Sequence, residues 1–269
     1  MPFFAQRVVC LQPSATATLA SLGLLERIVA CTKYCIDVCP AVAGRTIVHD
    51  SWTAQAEQIK AAHADLVLAS VPYQQEAVAE ILKSGVPVLL LAPHTLADIY
   101  KDIAMIAGVM GVPERAEPVI FDMQSAIANV TARTRDLPRL KVWCEEWGKP
   151  LIASQPWVGE LVEAAGGEFI GKPGQATNPD FVRHSRPDVI ITSWCGAGDR
   201  VPLEKIVQER QWIDLPAVQN ARVFCINDEL LNTPAPTIIG GLRAIAHALH
   251  PELFPVVAGI RAIQSIVLK

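Results

Sequence analysis

The residues Arg7-Val-Val-Cys-Leu-Gln-Pro-Ser-Ala-Thr-Ala-Thr-Leu-Ala-Ser-Leu-Gly23 change from a short apolar run to a segment with helical spacing. Residues 7–11 have the length of a buried strand, and residues 15–22 are predicted to form a helix that ends at Gly23. A strand that is followed at once by a helix is the repeating unit of parallel α/β folds. We therefore expect the turn at residues 11–16 to lie at the carboxyl edge of a parallel sheet.

The same alternation recurs along most of the chain. Before residue 112, strands are predicted at 27–31, 65–70 and 87–92, and helices at 53–62, 74–84 and 96–110. After residue 138, strands are predicted at 141–144, 188–193 and 222–226, and helices at 156–165, 203–209 and 236–249. The pattern predicts an α/β fold of two Rossmann-like lobes with mostly parallel sheets, at residues 1–112 and 138–269, joined by one long helix at 113–137.

The composition excludes several classes of function. The 269 residues are 51% hydrophobic and 19% charged, which suits a compact fold, and the net charge of −4 offers no basic surface for nucleic acid. No apolar run of about 20 residues is present, so no membrane span is predicted. The start lacks a secretory signal pattern and the seven cysteines are unevenly spaced. These features predict a cytoplasmic location, or a periplasmic one if a leader has been removed.

Aromatic residues concentrate where the predicted strands end. Ligands of open parallel sheets bind beyond the carboxyl ends of the strands. Of the six tryptophans, Trp52, Trp147 and Trp194 lie in such segments, and Trp157 begins the following helix. A wide, mostly apolar and partly planar ligand would explain this placement, because aromatic faces bury a large area. The alternative is that these rings pack against loops and close the ends of the lobes.

The residues for common enzyme chemistry are not assembled. No Gly-x-Ser-x-Gly turn and no phosphate-binding loop occur. Ser14 and Thr16 are candidate N-caps of the first helix, a role that is compatible with ligand contact. Glu145 and Glu146 are adjacent on an extended segment, where neighbouring side chains point in opposite directions, which argues against a catalytic pair that shares one substrate atom. We therefore predict a protein that is not an enzyme and requires no cofactor.

Cysteine and histidine offer few candidates for metal coordination. Cys31, Cys35 and Cys39 are spaced more widely than usual zinc ligands and lack a second Cys or His group nearby, which favours buried thiols over a metal site. Cys35 differs because it lies beside a tyrosine in a predicted strand-end loop. It could contact a ligand or the ligand's metal there. His49 and His94, in similar loops, could also ligate such a metal, or bond to local backbone.

Several segments, taken in order, resemble a known family. They are the run 7–23 quoted above, Glu26-Arg-Ile-Val-Ala30, Asp65-Leu-Val-Leu-Ala69, Gly85-Val-Pro-Val88, Leu161-Val-Glu-Ala-Ala-Gly-Gly-Glu168, Arg186-Pro-Asp-Val-Ile-Ile191 and Pro236-Thr-Ile-Ile-Gly-Gly-Leu242. Over almost the full length the chain is similar to class III periplasmic binding proteins, the substrate-binding proteins of cobalamin and iron–siderophore ABC importers. The resemblance implies a chelate or corrinoid that is held between two lobes and is not chemically altered.

Within that family, the chain resembles the cobalamin-binding branch. Asp50-Ser-Trp52 resembles a loop whose tryptophan packs against the corrin, and Tyr34 falls at a second aromatic contact. The resemblance and the strand-end positions together predict ligand contacts at Pro13, Ser14, Tyr34, Cys35, Trp52, Tyr73, Trp147, Trp194, Glu229 and Asn232.

The sequence also departs from the family pattern. Ala17 stands where an acidic residue often follows Pro-Ser-x-Thr, and the glutamates that contact an ABC permease fall at Gln75 and Gln155, with Glu76 one step away. The predicted function is non-enzymatic binding of a bulky metal chelate, above all a cobalamin-like corrinoid. The alternatives are the substrate-binding component of an iron–siderophore or haem ABC importer, and a cysteine- or glutamate-dependent enzyme on the same fold.

Overall fold

The computed structural model describes residues 4–71 and 74–264 and divides the chain into two compact units. The first unit consists of Met1–Met123 with Pro234–Pro236, and the second of Gln124–Thr233 with Thr237–Lys269. The change from the first unit to the second, at residue 123, falls inside the segment that was predicted to connect two lobes. The limits at 112 and 138 stay predictions.

The first unit contains one parallel sheet of five strands, in the order β3-β2-β1-β4-β5. The strands are β1 Val8–Cys10, β2 Ile28–Cys31, β3 Thr46–Ile47, β4 Leu66–Ser70 and β5 Val88–Leu91. The helices are α1 Pro13–Ser21, α2 Lys33–Val38, α3 Ala56–Ala61, α4 Gln75–Lys83 and α5 Leu96–Val109. Helix α6, Ala116–Thr134, carries the chain into the second unit.

The central position of β1 explains why its sequence is so apolar. All three of its residues are buried, as expected for a parallel strand that is covered on both faces. Val9 and Leu11 pack with Val67 and Ile81 in the core of this unit. Helix α4 ends before Gly85, whose φ of +71° is a backbone conformation that favours glycine.

Helix α1 begins two residues earlier than predicted. Pro13 is its first residue, which suits a side chain that fixes φ and lacks an N–H, and Gln12 is the N-cap. Ser14 and Thr16 lie inside the helix and are buried, so the prediction that they are N-caps was wrong. Helix α3 is shorter than the predicted 53–62, because residues 49–55 form an irregular segment that precedes it.

The second unit contains a mixed sheet of seven strands. Its order is β12-β11-β10-β6-β7-β9, and β8 also pairs with β6. The strands are β6 Leu140–Gly148, β7 Leu151–Ala153, β8 Gly167–Phe169, β9 Ala176–Thr177, β10 Val189–Thr192, β11 Val223–Ile226 and β12 Ile260–Ala262. The helices are α7 Pro156–Ala164, α8 Pro179–Ser185, α9 Leu203–Glu209, α10 Pro216–Gln219, α11 Asp228–Leu231 and α12 Ile238–Leu249.

The core of this sheet is parallel and its margins are antiparallel. Strand β6 pairs in parallel with β10 and β8, and β10 pairs in parallel with β11. Strands β7, β9 and β12 are added antiparallel. Trp143 and Trp212 are fully buried in the hydrophobic core. The α/β fold class is confirmed, with the difference that the second sheet is mixed.

No helix within residues 4–71 and 74–264 combines the length and the apolar character that a membrane crossing needs.

Candidate functional site

The parallel sheet of the first unit brings several predicted contact residues to one edge. Pro13 and Ser14 follow β1, Tyr34 follows β2, Trp52 follows β3 and His94 follows β5. Because all five strands run the same way, these residues come after the carboxyl ends of the strands. The predicted contact Tyr73 lies outside the described residues.

The turn that carries Trp52 is held by hydrogen bonds within it and by one to the end of β1. The Asp50 carboxylate accepts from the backbone N–H groups of Trp52 at 3.1 Å and Thr53 at 3.0 Å. The Ser51 backbone N–H donates to the Leu11 carbonyl at 3.1 Å, which ties the turn to the end of β1. The Trp52 side chain itself is 45% exposed. A rigid turn therefore presents an exposed indole beside the start of α1.

Tyr34 and Cys35 lie in α2 and not in the predicted loop, so that placement was wrong. The chain turns directly from β2 into a six-residue helix after Thr32. Tyr34 is 40% exposed, and the Lys33 ammonium lies 4.8 Å from the centre of its ring. Cys35, the next residue of the helix, is fully buried. Helix α2 thus exposes the aromatic ring and turns the thiol inward.

The buried thiol of Cys35 belongs to a cluster with two other cysteines. Cys10 and Cys31 are paired across β1 and β2, and the Cys35 thiol lies 3.8 Å from the Cys10 carbonyl oxygen. Burial raises the pKa of Cys10, whereas hydrogen bonding to Cys31 lowers the pKa of Cys35. In the described part of the chain, no three His, Cys, Asp or Glu side chains form a group that could hold a metal ion.

The two candidate histidines of the first unit are exposed. The His49 Nδ1 lies 3.1 Å from the Thr53 carbonyl oxygen, which leaves its Nε2 as the nitrogen that could face a metal. The His94 backbone N–H donates to the Asp98 carboxylate at 3.2 Å, in front of α5. Coordination of a ligand's metal by either ring remains a prediction.

In the second unit, Trp147 and Trp194 lie close to each other at the ends of neighbouring strands. Strand β6 runs to Gly148, beyond its predicted end at residue 144, so Glu145, Glu146 and Trp147 are strand residues and not loop residues. Trp147 is 42% exposed, and its indole N–H donates to the Lys149 carbonyl at 2.9 Å. The ring of Trp194 lies against Gly148, where an added Cβ would overlap its six-membered ring.

Trp157, which begins α7, is buried. Its indole N–H donates to the Leu231 carbonyl oxygen at 2.8 Å. For this tryptophan the packing alternative holds, because the ring is only 4% exposed.

Glu145 is a fully buried carboxylate that holds two indoles and an arginine. It accepts from the Trp143 indole N–H at 2.8 Å and from the Trp194 indole N–H at 2.8 Å. The Arg210 guanidinium completes the group at 2.8 Å, and its own side chain is 10% exposed. The sequence indicated neither this network nor Arg210, because Arg210 follows α9 without any recognisable motif.

The end of β11 leads into polar groups that are partly unsatisfied. Residues 228–232 were predicted as a loop, but Asp228–Leu231 forms α11. Asp228 accepts from the backbone N–H groups of Gly196 at 2.7 Å and Gly198 at 2.9 Å. The Asn232 amide donates to the Ser193 carbonyl at 2.6 Å. Within the described residues, Asn232 Oδ1 and Ser193 Oγ are buried without a hydrogen-bond partner. Glu229, the remaining predicted contact, is half-buried in α11.

Glu146 points away from Glu145, as expected for adjacent strand residues. It accepts from the side-chain amide of Gln155, the N-cap residue of α7, at 2.6 Å. Burial raises the pKa of Glu146 to about 7. Gln75, the other residue at a predicted permease-contacting position, is the first residue of α4.

The chain is similar to known proteins over most of its length. A family model described as "Periplasmic binding protein" matches residues 8–230. The uncharacterized ABC transporter substrate-binding lipoprotein YvrC of Bacillus subtilis is 23% identical over 263 residues, covering 93% of this chain and 81% of that protein.

Two solved structures share the fold. The periplasmic vitamin B12 binding protein BtuF of Vibrio cholerae has a TM-score of 0.75 and 23% identity, covering 94% of this chain and 99% of that one. A periplasmic heme binding protein from Pseudomonas aeruginosa has a TM-score of 0.86 and 16% identity, covering 97% and 99%. At these identities the likeness shows the fold alone.

Proposed function

The chain belongs to the periplasmic binding protein family, and from that premise we propose that it is the solute-binding component of an ABC importer for a bulky, planar metal chelate. Members of this family bind their substrates and do not convert them, which confirms the prediction that the chain is not an enzyme. The cysteine- or glutamate-dependent enzyme is therefore not retained.

One observation carries the choice of ligand class. In the described part of the chain, the Trp and Tyr side chains that are at least 40% exposed are Tyr34, Trp52 and Trp147. All three follow or end a strand at its carboxyl end. Exposed rings in such positions suit a ligand with a large flat face, because stacking buries much area at little cost in rotamer entropy.

The ligand contacts that we propose come from each unit in turn. The first unit offers Pro13, Ser14, Tyr34, Trp52 and, outside the described residues, Tyr73. The second offers Trp147, Trp194, Glu229 and Asn232. The buried acceptors of Asn232 and Ser193 support a polar contact, since buried acceptors are ordinarily paired. Cys35 is not included, because its thiol is fully buried.

A corrinoid is the ligand that we favour, and haem is the second candidate. Relatives of known fold are named for vitamin B12 and for heme. Cobalamin brings a nitrogen ligand for its own cobalt and needs no axial side chain from the protein. Haem iron commonly takes one, and His49 or His94 would then be the donor. An iron–siderophore complex is the third candidate.

Titration of the purified protein distinguishes these candidates. Cyanocobalamin, haem and a ferric siderophore are added separately while absorption and tryptophan fluorescence are recorded. We expect saturable quenching with one of them, recovery of that ligand unchanged, and stabilisation of about 2.7 kcal/mol at a hundredfold excess over Kd. Absence of any saturable signal with all three would contradict the proposal.

Trp52 provides the matched test of the aromatic contact. We expect Trp52→Ala to weaken binding by about tenfold or more, because truncation of an aromatic anchor commonly costs at least 1.4 kcal/mol. Phe121→Ala is the control, since Phe121 is 66% exposed on α6 and is not a proposed contact. Equal Kd values for the two variants would remove Trp52 from the site.

The proposed partner is an ABC permease, and the proposed location follows from the family. The similar protein YvrC is a lipoprotein and the similar structures are periplasmic, which favours the periplasmic alternative over the cytoplasmic prediction made from the first residues. Fractionation of the native cells, with an antibody against this chain, decides between the two locations.

A further inference from the structure

The buried carboxylate of Glu145 has an unusual set of partners for a residue inside a binding protein. Its Oε1 accepts from the Trp194 indole N–H at 2.8 Å and from Arg210 at 3.1 Å. Its Oε2 accepts from the Trp143 indole N–H and from Arg210, both at 2.8 Å. Each oxygen therefore pairs with one indole and with the same guanidinium.

The arginine is itself held in place from two other directions. Its guanidinium lies 4.8 Å from the ring centre of Trp212, and a second guanidinium N–H donates to the Gly148 carbonyl at 3.4 Å. Trp212 is fully buried. The ion pair is thus built into the core of the second unit, and the acceptor that faces Trp194 cannot easily turn away.

The Trp194 ring is restricted on its other side by Gly148. A Cβ at that position would overlap three atoms of the ring, so the glycine provides the space that the indole occupies. The ring is only half-buried, although its N–H is bound to a fully buried oxygen. One edge of the indole is therefore anchored while part of its surface stays accessible.

We propose that Glu145 and Arg210 form a positioning pair that fixes the indole of Trp194 at the end of β10, so that its ring is oriented for a planar ligand before the ligand binds. This inference rests on the proposed function for the role of Trp194, but the orientation itself is a property of the chain alone. A pre-oriented ring loses less freedom on binding than a mobile one, and the difference adds to affinity.

Stability alone does not explain why Glu145 and Arg210 are buried as an ion pair. Burying two charges costs much of what their attraction returns, and apolar replacements of such pairs are often as stable. Loss of one partner is worse, because it leaves an unpaired charge in the interior. A substitution that keeps the shape of Glu145, and a second that removes both charges together, are therefore the informative changes.

The first experiment reads the orientation of Trp194 without any ligand. The protein is labelled with 5-fluorotryptophan, and the fluorine NMR signal of Trp194 is assigned from its loss in Trp194→Phe. In Glu145→Gln we expect this signal to shift and broaden, and Glu163→Gln is expected to leave it in place. Glu163 is the matched control because it pairs with Arg139 in the same unit. An unchanged Trp194 signal in Glu145→Gln overturns the proposal.

If Glu145→Gln does not fold, Glu145→Gln/Arg210→Met takes its place. This pair of changes removes both charges and leaves none unpaired in the core. It is expected to fold and to show the same shifted and broadened Trp194 signal.

The second experiment is a double-mutant cycle on binding, with whichever of cyanocobalamin or haem the unaltered protein binds. We expect Glu145→Gln to weaken binding by about tenfold in the unaltered background and by less than about twofold in the Trp194→Phe background. An equal loss in both backgrounds would mean that Glu145 acts only by maintaining the fold, and it would overturn the proposal. If neither ligand binds, the proposed function fails and the fluorine signals alone decide the positioning role.

Discussion

Two adjacent carboxyl groups of β6, those of Glu145 and Glu146, have different partners. Glu145 is buried with a guanidinium, whereas Glu146 is mostly buried and receives one amide N–H from Gln155. Burial without a positive partner favours the neutral acid, which is why the pKa of Glu146 is raised to about 7. Glu146 therefore keeps its proton to a higher pH than an ordinary glutamate does.

This difference predicts a pH effect on stability. The pKa of Glu146 rises from 4.5 to about 7 on folding, so the folded protein holds the proton more tightly. Its favourable contribution is complete below about pH 4.5 and is lost as the pH rises to about 7. Glu146→Gln should therefore gain stability relative to the unaltered protein between pH 5 and pH 8, by about 2 kcal/mol.

Urea unfolding at several pH values measures this effect. The comparison cancels the contribution of Asp102, whose pKa burial also raises, because both proteins contain it. A difference in unfolding free energy that stays constant from pH 5 to pH 8 would show that Glu146 titrates as an ordinary carboxyl group.

The sequence predicted the candidate site unevenly at the level of residues. Trp52 and Trp147 are exposed near strand ends, and both were selected from their place in predicted cleft-side segments together with the family resemblance. Cys35 was selected by the same rule, but a short helix turns its thiol inward. Arg210 could not be selected, because its partner Glu145 is 65 residues away and no local pattern joins the two.

Helix α5 shows how a local pattern can fix an element. The Thr95 hydroxyl accepts from the Asp98 backbone N–H at 3.2 Å, and the Asp98 carboxylate accepts from the Thr95 backbone N–H at 3.1 Å. This reciprocal capping box satisfies donors that a helix start otherwise leaves open. The bonds from Thr95 and Lys101 also hold the pKa of Asp98 well below its usual range.

We expect Thr95→Ala to lower the unfolding free energy by about 1 to 2 kcal/mol, because the helix loses its N-cap. The control is Thr131→Ala on the exposed face of α6, where the change should lie within about 0.5 kcal/mol. Chemical denaturation of both variants is the measurement. Equal stabilities would show that the capping box adds nothing measurable.

Most of the elements that the sequence missed are short. Strands β3, β7, β8, β9 and β12 have two or three residues, which is too few to show an alternating pattern. Helices α2 and α11 have six and four residues and depend on tertiary contacts, as when Asp228 binds the Gly196 and Gly198 amides. The other seven strands, including the three-residue β1, were all predicted, because a buried parallel strand is a continuous apolar run.

Each of the two units has its own hydrophobic cluster. We therefore expect a substitution in one cluster to destabilise mainly the unit that contains it. Ile81 is fully buried in the first cluster and Ile190 in the second. Either change to Ala should cost about 2 to 4 kcal/mol. We expect Ile190→Ala to speed amide hydrogen exchange in β6, β10 and β11, and Ile81→Ala to speed it in β1 and β4.

Hydrogen exchange followed by mass spectrometry under native conditions tests this expectation, with each variant serving as the control for the other. Equal acceleration in both units with either substitution would mean that the whole chain opens as one cooperative body. The two-lobed organisation was predicted from the repeated strand–helix alternation. Assignment of Pro234–Pro236 to the first unit was not, because three residues carry no periodic signal.

The contact between Gly148 and the Trp194 ring also makes substitutions at positions 148 and 194 depend on each other. Every amino acid except glycine has a Cβ, so any replacement at position 148 collides with the indole as long as the indole is present. A replacement at position 148 is therefore expected to cost less stability after position 194 has lost its large ring than before. The order in which the two positions change therefore matters, because the present tryptophan limits which residues position 148 can accept.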